Sequence, residues 1–513
     1  MKNEKVQPLH LASVLLERVR HRERNDSPLF IDDNNEISGA AFVGNLNLLT
    51  TSCLADTADH RVVICMNDSI ALALSFYGVM LAGGIPIVIN PRLRAESISY
   101  ILADSDARLI ISDEEYREKF ENMQHSSALL LHKENNFFRH SQLIFSLDCQ
   151  LNATQNPING VVSTQGHCFW QYTSGTSGDP KAVMHTHEGI LDMCEQFAGH
   201  YLQINEEDII YSIPKTFFGY GMGNSLIFPL YGNCTALLTQ QWPSVDKILS
   251  NIKQHKPSLL FGGPAIYKMM LDDPRTAEVV NIPRLFYSAG SPLLKQLHEE
   301  WFAKYDKYII DGIGATEVGH VFIGNDISSP KFGKVGKCLP GYECKLLAIE
   351  GYPKHTGILC VKGGSVAAGY WNKADKQEEK FSDGWYITGD IFSVDEEGNY
   401  EFIGREDDLF KVKGRWVEPV KIENWLLSKY SCISEAAVVP FHENYDVQCA
   451  LFIVLGESAI CSTQFESELR GDLSNGLHSF EVPRQIHFLE SLTKNDNGKL
   501  ERKKLIEKIT LHN

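Results

Sequence analysis

Ten residues at 172–181, YTSGTSGDPK, bring together four Ser/Thr hydroxyls, two glycines, a proline and a lysine. Glycine permits the positive-φ turns that aim successive backbone N–H groups inward, and the hydroxyls add donors, so such a loop can wrap a polyphosphate. Lys181 would supply the positive charge. The Walker A pattern G-x-x-x-x-G-K-[ST] is not met, because Pro180 precedes the lysine and Ala182 follows it. An ordinary polar loop has the same composition, and what separates the two readings lies further along the chain.

Four later stretches have chemistry of their own. In SAGSPL at 288–293, Ser288, Ala289 and Gly290 are small enough for backbone to approach a flat base or a ribose, although a plain strand-to-helix turn fits equally well. In DGIGATE at 311–317, Asp311, Gly312, Ile313, Gly314, Thr316 and Glu317 follow a strand predicted at 308–310, and Glu317 is a candidate to hold a magnesium ion bridging phosphates. YITGD at 386–390 places Asp390 just after a strand, suited to accept hydrogen bonds from ribose hydroxyls; a lone Asp in a turn is the alternative. TKNDNGKLER at 493–502 sets Lys499 behind a glycine turn, where a mobile lysine could reach an active site.

The elements that must position these residues follow from composition and alternation. The chain has 513 residues, 43% hydrophobic and 22% charged, enough for two to four domains with a sizeable core. A net charge of −17 disfavours a nucleic-acid partner, which needs a clustered basic face. The 12 cysteines show no C-x-x-C or zinc spacing and no signal peptide precedes them, which fits reduced thiols in a cytoplasm. The uncharged run at 70–89 is long enough for a membrane span. Gly83, Gly84 and Pro86 punctuate it, so it reads as a buried helix followed by a buried strand and no membrane span is expected.

From 67 to 113, helical runs alternate with short strands, for example a helix over 95–103 and a strand over 108–111, the signature of βαβ units. The stretch 114–166 is polar and irregular. A second alternating region has strands at 209–213, 234–238, 258–261 and 284–288. Beyond Gly333, short strands such as 357–362 and 398–403 with Gly-rich turns suggest a small β subdomain. The charged run GREDDLFKVKGRWVEP at 404–419 reads as a solvated linker, and the last hundred residues, with a helix at 420–428 and strands at 435–439 and 448–455, as a compact α+β lid.

Five separated segments, YTSGTSGDPK, DGIGATE, YITGD, GREDD and NGKLER, occur in the order and spacing of the adenylate-forming enzymes, which include acyl-CoA synthetases, peptide-synthetase adenylation domains and firefly luciferase. The similarity runs over about 27–505. It implies an α/β fold: a large N-terminal domain, 1–404, of two βαβ-type sheets plus a small β subdomain, and a smaller mobile α+β domain, 405–513, hinged near Asp407. It also implies roles. Thr173, Ser174, Gly175, Thr176, Ser177, Gly178 and Lys181 embrace the phosphates of ATP. Ser288, Ala289, Gly290, Asp311, Gly312 and Ile313 line the nucleotide. Asp390 and Arg405 hold the ribose, Thr316 touches the α-phosphate, Glu317 takes the magnesium, and Lys499 bridges the carboxylate and α-phosphate. After rotation about Asp407, Lys413 and Gly414 would face the thiol step.

FFGYGMGN at 217–224 and GATEVGHVF at 314–322 resemble the benzoate-CoA ligase branch, which implies that Phe218, Gly219, Tyr220, Gly314, His320 and Val321 line the acid pocket. Phe218 stands where members that activate α-amino acids carry an Asp, so an amino acid is not expected. Gly219 replaces the alanine of unsubstituted-benzoate ligases and leaves room for a substituted aryl acid. Core packing around a glycine turn explains the same residues, and Ala182 and Ile313 depart from the family pattern. The acceptor is coenzyme A, or alternatively the phosphopantetheine arm of an acyl carrier protein. Lys411, Lys413 and Arg415, or the cluster from Lys499 to Lys504, are cations for its phosphates, if not merely a solvated face. A luciferase-like oxygenase would share the first step and emit light, whereas a catalytically inactive acyl-adenylate-binding protein is at odds with the presence of Lys181, Glu317, Asp390 and Lys499.

Overall fold

In the uncharged run, Ser69 accepts a hydrogen bond from the Leu72 N–H and starts the helix Ile70–Leu81, all of whose residues are buried. Gly83, at φ 79°, turns the chain out of it and into the strand Ile85–Val88. A helix apolar all round belongs inside a protein core. No described helix is long and apolar enough to cross a membrane. In this computed structural model the described residues are 9–21, 27–52, 54, 57–121, 129–134, 137–140, 143–146, 166–173, 179–443, 446–456, 462–494 and 500–510. They form two compact units, Met1–Cys344 with Val361–Tyr386, and Lys345–Cys360 with Ile387–Asn513. Packing thus groups 387–404 with the C-terminal residues, whereas the resemblance places its hinge at Asp407.

The first unit holds two nine-stranded sheets. One has at its centre the parallel strands Ile309–Gly314, Leu285–Ser288, Leu259–Gly262, Ile209–Ser212 and Thr235–Leu237 in that spatial order. Such strands are covered on both faces and read as continuous apolar runs, which is why the sequence finds the last four of them to within a residue or two. The helices Val245–His255, Pro264–Asp272 and Lys295–Tyr305 supply Ile248, Ile252, Tyr267, Met270 and Trp301 to the core against this sheet. Each buried side chain of this size contributes about 1.5–3 kcal/mol. The other sheet runs from Gly369–Tyr370 through Lys181–Thr186, His167–Thr173, Ile85–Val88, Arg61–Cys65 and Leu109–Asp113 to three further strands.

Those three, Leu129–Glu134, Phe137–His140 and Leu143–Ser146, correct the expectation that 114–166 is irregular. They pair at one edge through backbone hydrogen bonds, and their apolar runs LLL, FF and LIF are too short to stand out from the polar stretch around them. A second correction concerns 311–314: the strand expected to end at 310 continues to Gly314, so its glycines lie within it. A Cβ on Gly312 would collide with the Tyr287 hydroxyl and meet the Ile323 carbonyl at 3.0 Å, the close approach that a strand glycine often marks. Asp390 likewise sits inside the strand Trp385–Val394 and not behind it.

In the second unit, the charged run expected as a linker folds into the turn Glu406–Asp408 and the hairpin Phe410–Val412/Arg415–Val417. Lys413 and Gly414, at φ 50° and 76°, make its two-residue bend, the positive-φ pair such a hairpin requires. Beyond it, Ile433–Glu443, Asp446–Leu455 and Gln485–Leu489 form a three-stranded sheet. Val438, Leu451 and Ile453 point to one face, with Ile422, Leu426, Leu469 and Leu473 of two helices. Ala437, Val439 and Phe452 point to the other, with Leu505 and Ile509 of the last helix. This period-2 alternation gives the C-terminal part of the second unit the α+β character expected of a small C-terminal domain.

Candidate active site

The loop YTSGTSGDPK closes a hairpin. Thr173, the last residue of His167–Thr173, lies opposite Lys181, the first of Lys181–Thr186. Both ends are thereby fixed by ladder hydrogen bonds; Ser174, Gly175, Thr176, Ser177 and Gly178 lie outside the described residues. The hairpin is pinned from behind, because the Tyr172 hydroxyl donates to Asp104 Oδ2 at 2.7 Å and Lys373 Nζ reaches Asp104 Oδ1 at 3.2 Å.

Lys181 Nζ stands 4.8 Å from the centroid of the Tyr370 ring, within cation–π range. The Tyr370 hydroxyl in turn donates to Glu317 Oε1 at 2.7 Å, in a region where Tyr370 and Glu317 are 5% and 7% exposed. Burial and the adjoining Glu317 carboxylate push the Tyr370 phenol far above its ordinary pKa, so it remains a donor. Burial also lowers the Lys181 ammonium, while Glu317 pulls it back up. One phenol thus holds the loop lysine on its face and the acid on its hydroxyl.

Backbone geometry fixes that meeting. Gly369–Tyr370 pairs with the loop's second strand, Val183 opposite Tyr370. The Ala367 N–H donates to the Glu317 carbonyl at 2.8 Å, and the Ser365 hydroxyl to the Val318 carbonyl at 2.8 Å. Thr316 and Glu317 occupy a single turn, Thr316–Val318, directly behind the strand Ile309–Gly314. The neighbouring His185 makes a hydrogen bond with the Thr316 backbone, and burial pushes its pKa down to about 3.

At the carboxyl end of the parallel strands, where open α/β sheets bind ligands, Ser288 and Asp311 are cross-strand partners. Ser288 Oγ and Asp311 Oδ1 are both buried without a hydrogen-bond partner. Burial raises the Asp311 carboxyl well above the usual range, against the Gly312 and Leu293 N–H groups that it accepts. Buried polar atoms are almost always paired, so two orphans side by side are what a site for a polar group such as a nucleoside base leaves. Ala289 and Gly290 continue from Ser288; Gly290, at φ 88°, has open space where a side chain would be. Ile313 follows in the strand and is half-buried.

The aromatic candidates also meet. His320 is 3% exposed, its ring centroid 4.5 Å from Phe197, 5.3 Å from Tyr220 and 4.8 Å from Phe228. Its Nε2 lies 3.3 Å from the Tyr220 carbonyl, which can only accept, so Nε2 carries the proton. Burial pushes its pKa to about 3, and Nδ1 is left as an unpartnered acceptor. Phe218 caps the short helix Gly219–Met222, and the Tyr220 hydroxyl donates to the Tyr287 carbonyl at 3.0 Å. Gly314 and Val321 are cross-strand partners, and a Cβ on Gly314 would run into the His320 carbonyl. At Gly219 a Cβ would meet Gln171 Oε1 at 3.1 Å and the Gly319 carbonyl at 3.4 Å, so the space that the missing methyl leaves faces the Gln171 amide.

Lys215 holds this segment in place. Its ammonium is buried against the Thr239 and Gln241 carbonyls and lies 3.8 Å from Asp68, which accepts the Thr216 hydroxyl at 2.6 Å. Sequence reasoning missed Tyr370, Gln171, Ser365 and Lys215. Gln171 adjoins the phosphate loop, and alternation would have placed it inside the strand; nothing local marks the others.

Asp390, Arg405, Asp407, Lys413 and Gly414 belong to the second unit. Asp390 and Arg405 are cross-strand partners joined by an ion pair of 3.1 Å. Lys411 and Arg415, beside the Lys413–Gly414 bend, sit over the rings of Trp416 at 4.5 Å and Phe480 at 5.4 Å. Lys499 lies outside the described residues. The helix Arg502–Thr510 behind it is anchored by Arg502, which binds Glu423 at 2.5 Å and Asp408, next to Asp407, at 3.2 Å. Among the described residues no three His, Cys, Asp or Glu side chains cluster as a metal site. A magnesium ion held by one carboxylate and the phosphates of its nucleotide needs none, and Glu317 fits that use.

Residues 51–371 match the model of the family described as AMP-binding enzyme. The chain is 40% identical over 454 residues to the anthranilate–CoA ligase of Pseudomonas aeruginosa, covering 87% of this chain and 86% of that protein. To the benzoate–CoA ligase of Thauera aromatica it is 32% identical over 507 residues, covering 94% and 93%. A crystal structure of the anthranilate CoA ligase AuaEII in complex with anthranoyl-AMP superposes with a TM-score of 0.86 at 27% identity, over 100% of this chain and 99% of that one.

Proposed function

The chain belongs to the AMP-binding, adenylate-forming enzyme family, in the branch of the benzoate- and anthranilate-CoA ligases, and from that premise we propose that it joins a substituted benzoate to AMP and passes the aroyl group to the thiol of coenzyme A. The observation that carries the reading is the crowding of roles onto one strand and its turn. Asp311 to Ile313 stand at the orphaned polar atoms, Glu317 beside the tyrosine that faces the loop lysine, with Thr316 in the same turn, and His320 and Val321 at the aromatic wall. An acid lying against that wall would have its carboxylate end toward the triphosphate.

In the first half-reaction a carboxylate oxygen attacks the α-phosphorus of ATP and pyrophosphate leaves. Two anions must approach, so positive charge and N–H donors have to be in place beforehand. Thr173, the 174–178 loop and Lys181 would cradle the β- and γ-phosphates, Thr316 the α-phosphate, and Lys499 the attacking oxygen. A magnesium ion at Glu317, when bound, would offset the charge of the departing pyrophosphate. Ser288, Ala289, Gly290, Asp311, Gly312 and Ile313 would receive the nucleoside, with Asp390 and Arg405 on the ribose. In the second half-reaction the thiol attacks the carbonyl of the mixed anhydride and AMP leaves. The lid, turning at Asp407, would withdraw Lys499 and bring up Lys413 and Gly414.

The wall built by Phe218, Gly219, Tyr220, Gly314, His320 and Val321 suits a planar ring, and the unpartnered His320 Nδ1 suits a donor substituent such as an amino or hydroxyl group. The test is pyrophosphate release with anthranilate, hydroxybenzoates, benzoate, cinnamates and fatty acids, with coenzyme A and then with a phosphopantetheinylated carrier protein. Highest kcat/KM for an amino- or hydroxybenzoate with coenzyme A is expected. A fatty acid as the preferred acid, or turnover only with the carrier protein, would overturn the assignment of acid or of acceptor.

A further inference from the structure

Of the cysteines among the described residues, Cys65, Cys168, Cys194, Cys234, Cys360 and Cys449 are buried, while Cys338, Cys344 and Cys432 are partly exposed. Burial pushes the Cys65 and Cys449 thiols up to about 12, which leaves them unreactive. Two of the three exposed thiols are in contact: Cys344 Sγ lies 2.8 Å from Cys338 Sγ, and Cys338 Sγ–H also reaches the Tyr342 carbonyl at 3.3 Å.

Their setting holds them together. Cys338 ends the edge strand Lys337–Cys338 and pairs with Ile323, while Cys344 lies in Tyr342–Ala348. Gly341, at φ 81°, bends the chain between them. Tyr342, 8% exposed, is fastened through its hydroxyl to Ser365 Oγ at 2.8 Å. Lys337 and Lys345 flank the pair in sequence.

We propose that Cys338 and Cys344 are a redox modification site that closes to an intramolecular disulfide on reaction with a low-molecular-weight disulfide. One thiolate attacks a sulfur of the small disulfide, forming a mixed disulfide and expelling one small thiolate. The second protein thiolate then attacks the protein sulfur of that mixed bond and expels the other. The protein is oxidised, the small disulfide is reduced to two thiols, and the two protein S–H protons go to them. A disulfide needs its sulfurs at about 2.05 Å, so each must move by only about 0.4 Å, and the folded chain can close the bond. Closure removes the S–H that the Tyr342 carbonyl accepts, and covalently ties the edge strand to the strand that follows it. The inference does not rest on the proposed function.

The full chain is incubated folded with excess oxidised glutathione, its remaining thiols are alkylated, and it is digested with trypsin without reduction. Cleavage after Lys337 and Lys345 releases both cysteines in one peptide, CLPGYECK. The expected result is that this peptide is lighter by two hydrogens and unalkylated, and that in Cys344→Ser the same peptide instead carries glutathione on Cys338. A peptide from the folded parent that keeps both thiols, or bears only mixed disulfides, overturns the proposal. So does closure seen only when the chain is first unfolded in guanidinium.

Discussion

Tyr370 gives the sharpest handle on the proposed site, because two groups in it depend on different parts of one side chain. Its hydroxyl donates to Glu317 Oε1 at 2.7 Å, and its ring lies 4.8 Å from Lys181 Nζ. Tyr370→Phe deletes the hydroxyl and keeps the ring. A hydrogen bond to a charged acceptor is worth about 1.5–3 kcal/mol net, and the buried carboxylate left behind cannot be rehydrated without moving. That corresponds to a fall of about tenfold to a hundredfold in kcat/KM for pyrophosphate release, together with a higher magnesium requirement. Tyr370→Leu also removes the ring, and the further loss of a partly desolvated cation–π contact, about 1–2 kcal/mol, lowers the rate by roughly another fivefold to thirtyfold and raises the KM for ATP. Rates are measured over a magnesium titration, with melting temperatures as the check on folding. If both variants melt like the parent and stay within about twofold of its kcat/KM, the coupling of Lys181 and Glu317 through Tyr370 is wrong.

Lys499→Ala is expected to abolish pyrophosphate release yet still convert a supplied aroyl-adenylate and coenzyme A to thioester; equal loss of both steps would contradict its role. Asp407→Pro should leave pyrophosphate exchange intact and block thioester formation, and an unchanged thioester rate would argue against a hinge there. Arg502→Met breaks a buried network with Glu423 and Asp408, with a cost of about 3–5 kcal/mol to the second unit, read as an earlier unfolding transition in urea. His185 and His320, pushed by burial to about 3 from an ordinary 6.5, stay neutral when folded and take up protons when unfolded. Each therefore contributes stability that is present above pH 6.5 and lost toward pH 3, about 1.4 kcal/mol per pH unit. Urea midpoints at pH 7 and 5 should differ less in His320→Asn than in the parent, and an equal difference would refute this. Gly219→Ala, whose methyl would press on Gln171, should turn preference from substituted toward unsubstituted benzoate, measured as the ratio of kcat/KM values.

The sequence disclosed most where one local rule decides the outcome. The buried parallel strands at 209–213, 258–261 and 284–288 are short apolar runs, and the helix at 70–81 ends where Gly83 says it must. It failed where pairing across the chain decides. The strands Leu129–Glu134, Phe137–His140 and Leu143–Ser146 carry only the short apolar runs LLL, FF and LIF within a polar stretch, and it is their pairing at a sheet edge that makes them strands. The residues DGIG are expected to follow the strand, yet they lie within it, and Gly312 must be a glycine there because Tyr287, 25 positions earlier, leaves no room for a Cβ. At the site, Glu317 and Lys181 were legible as charges beside glycines. Tyr370 was not, since a tyrosine 53 residues from Glu317 becomes its partner only when the strand Lys181–Thr186 brings Gly369–Tyr370 alongside. The unpaired Ser288 and Asp311 atoms are likewise a property of two strands in register.

The central claim is that a carboxylate oxygen becomes bonded to the phosphorus of AMP. Anthranilate or a hydroxybenzoate carrying heavy oxygen in its carboxylate is turned over with ATP and coenzyme A, and the products are separated and weighed. The account predicts one heavy oxygen in AMP and none in pyrophosphate, because the oxygen–phosphorus bond made in the first step is kept and the bond from that oxygen to the carbonyl carbon is the one cleaved in the second. Heavy oxygen in orthophosphate, or an AMP without it, would contradict the account.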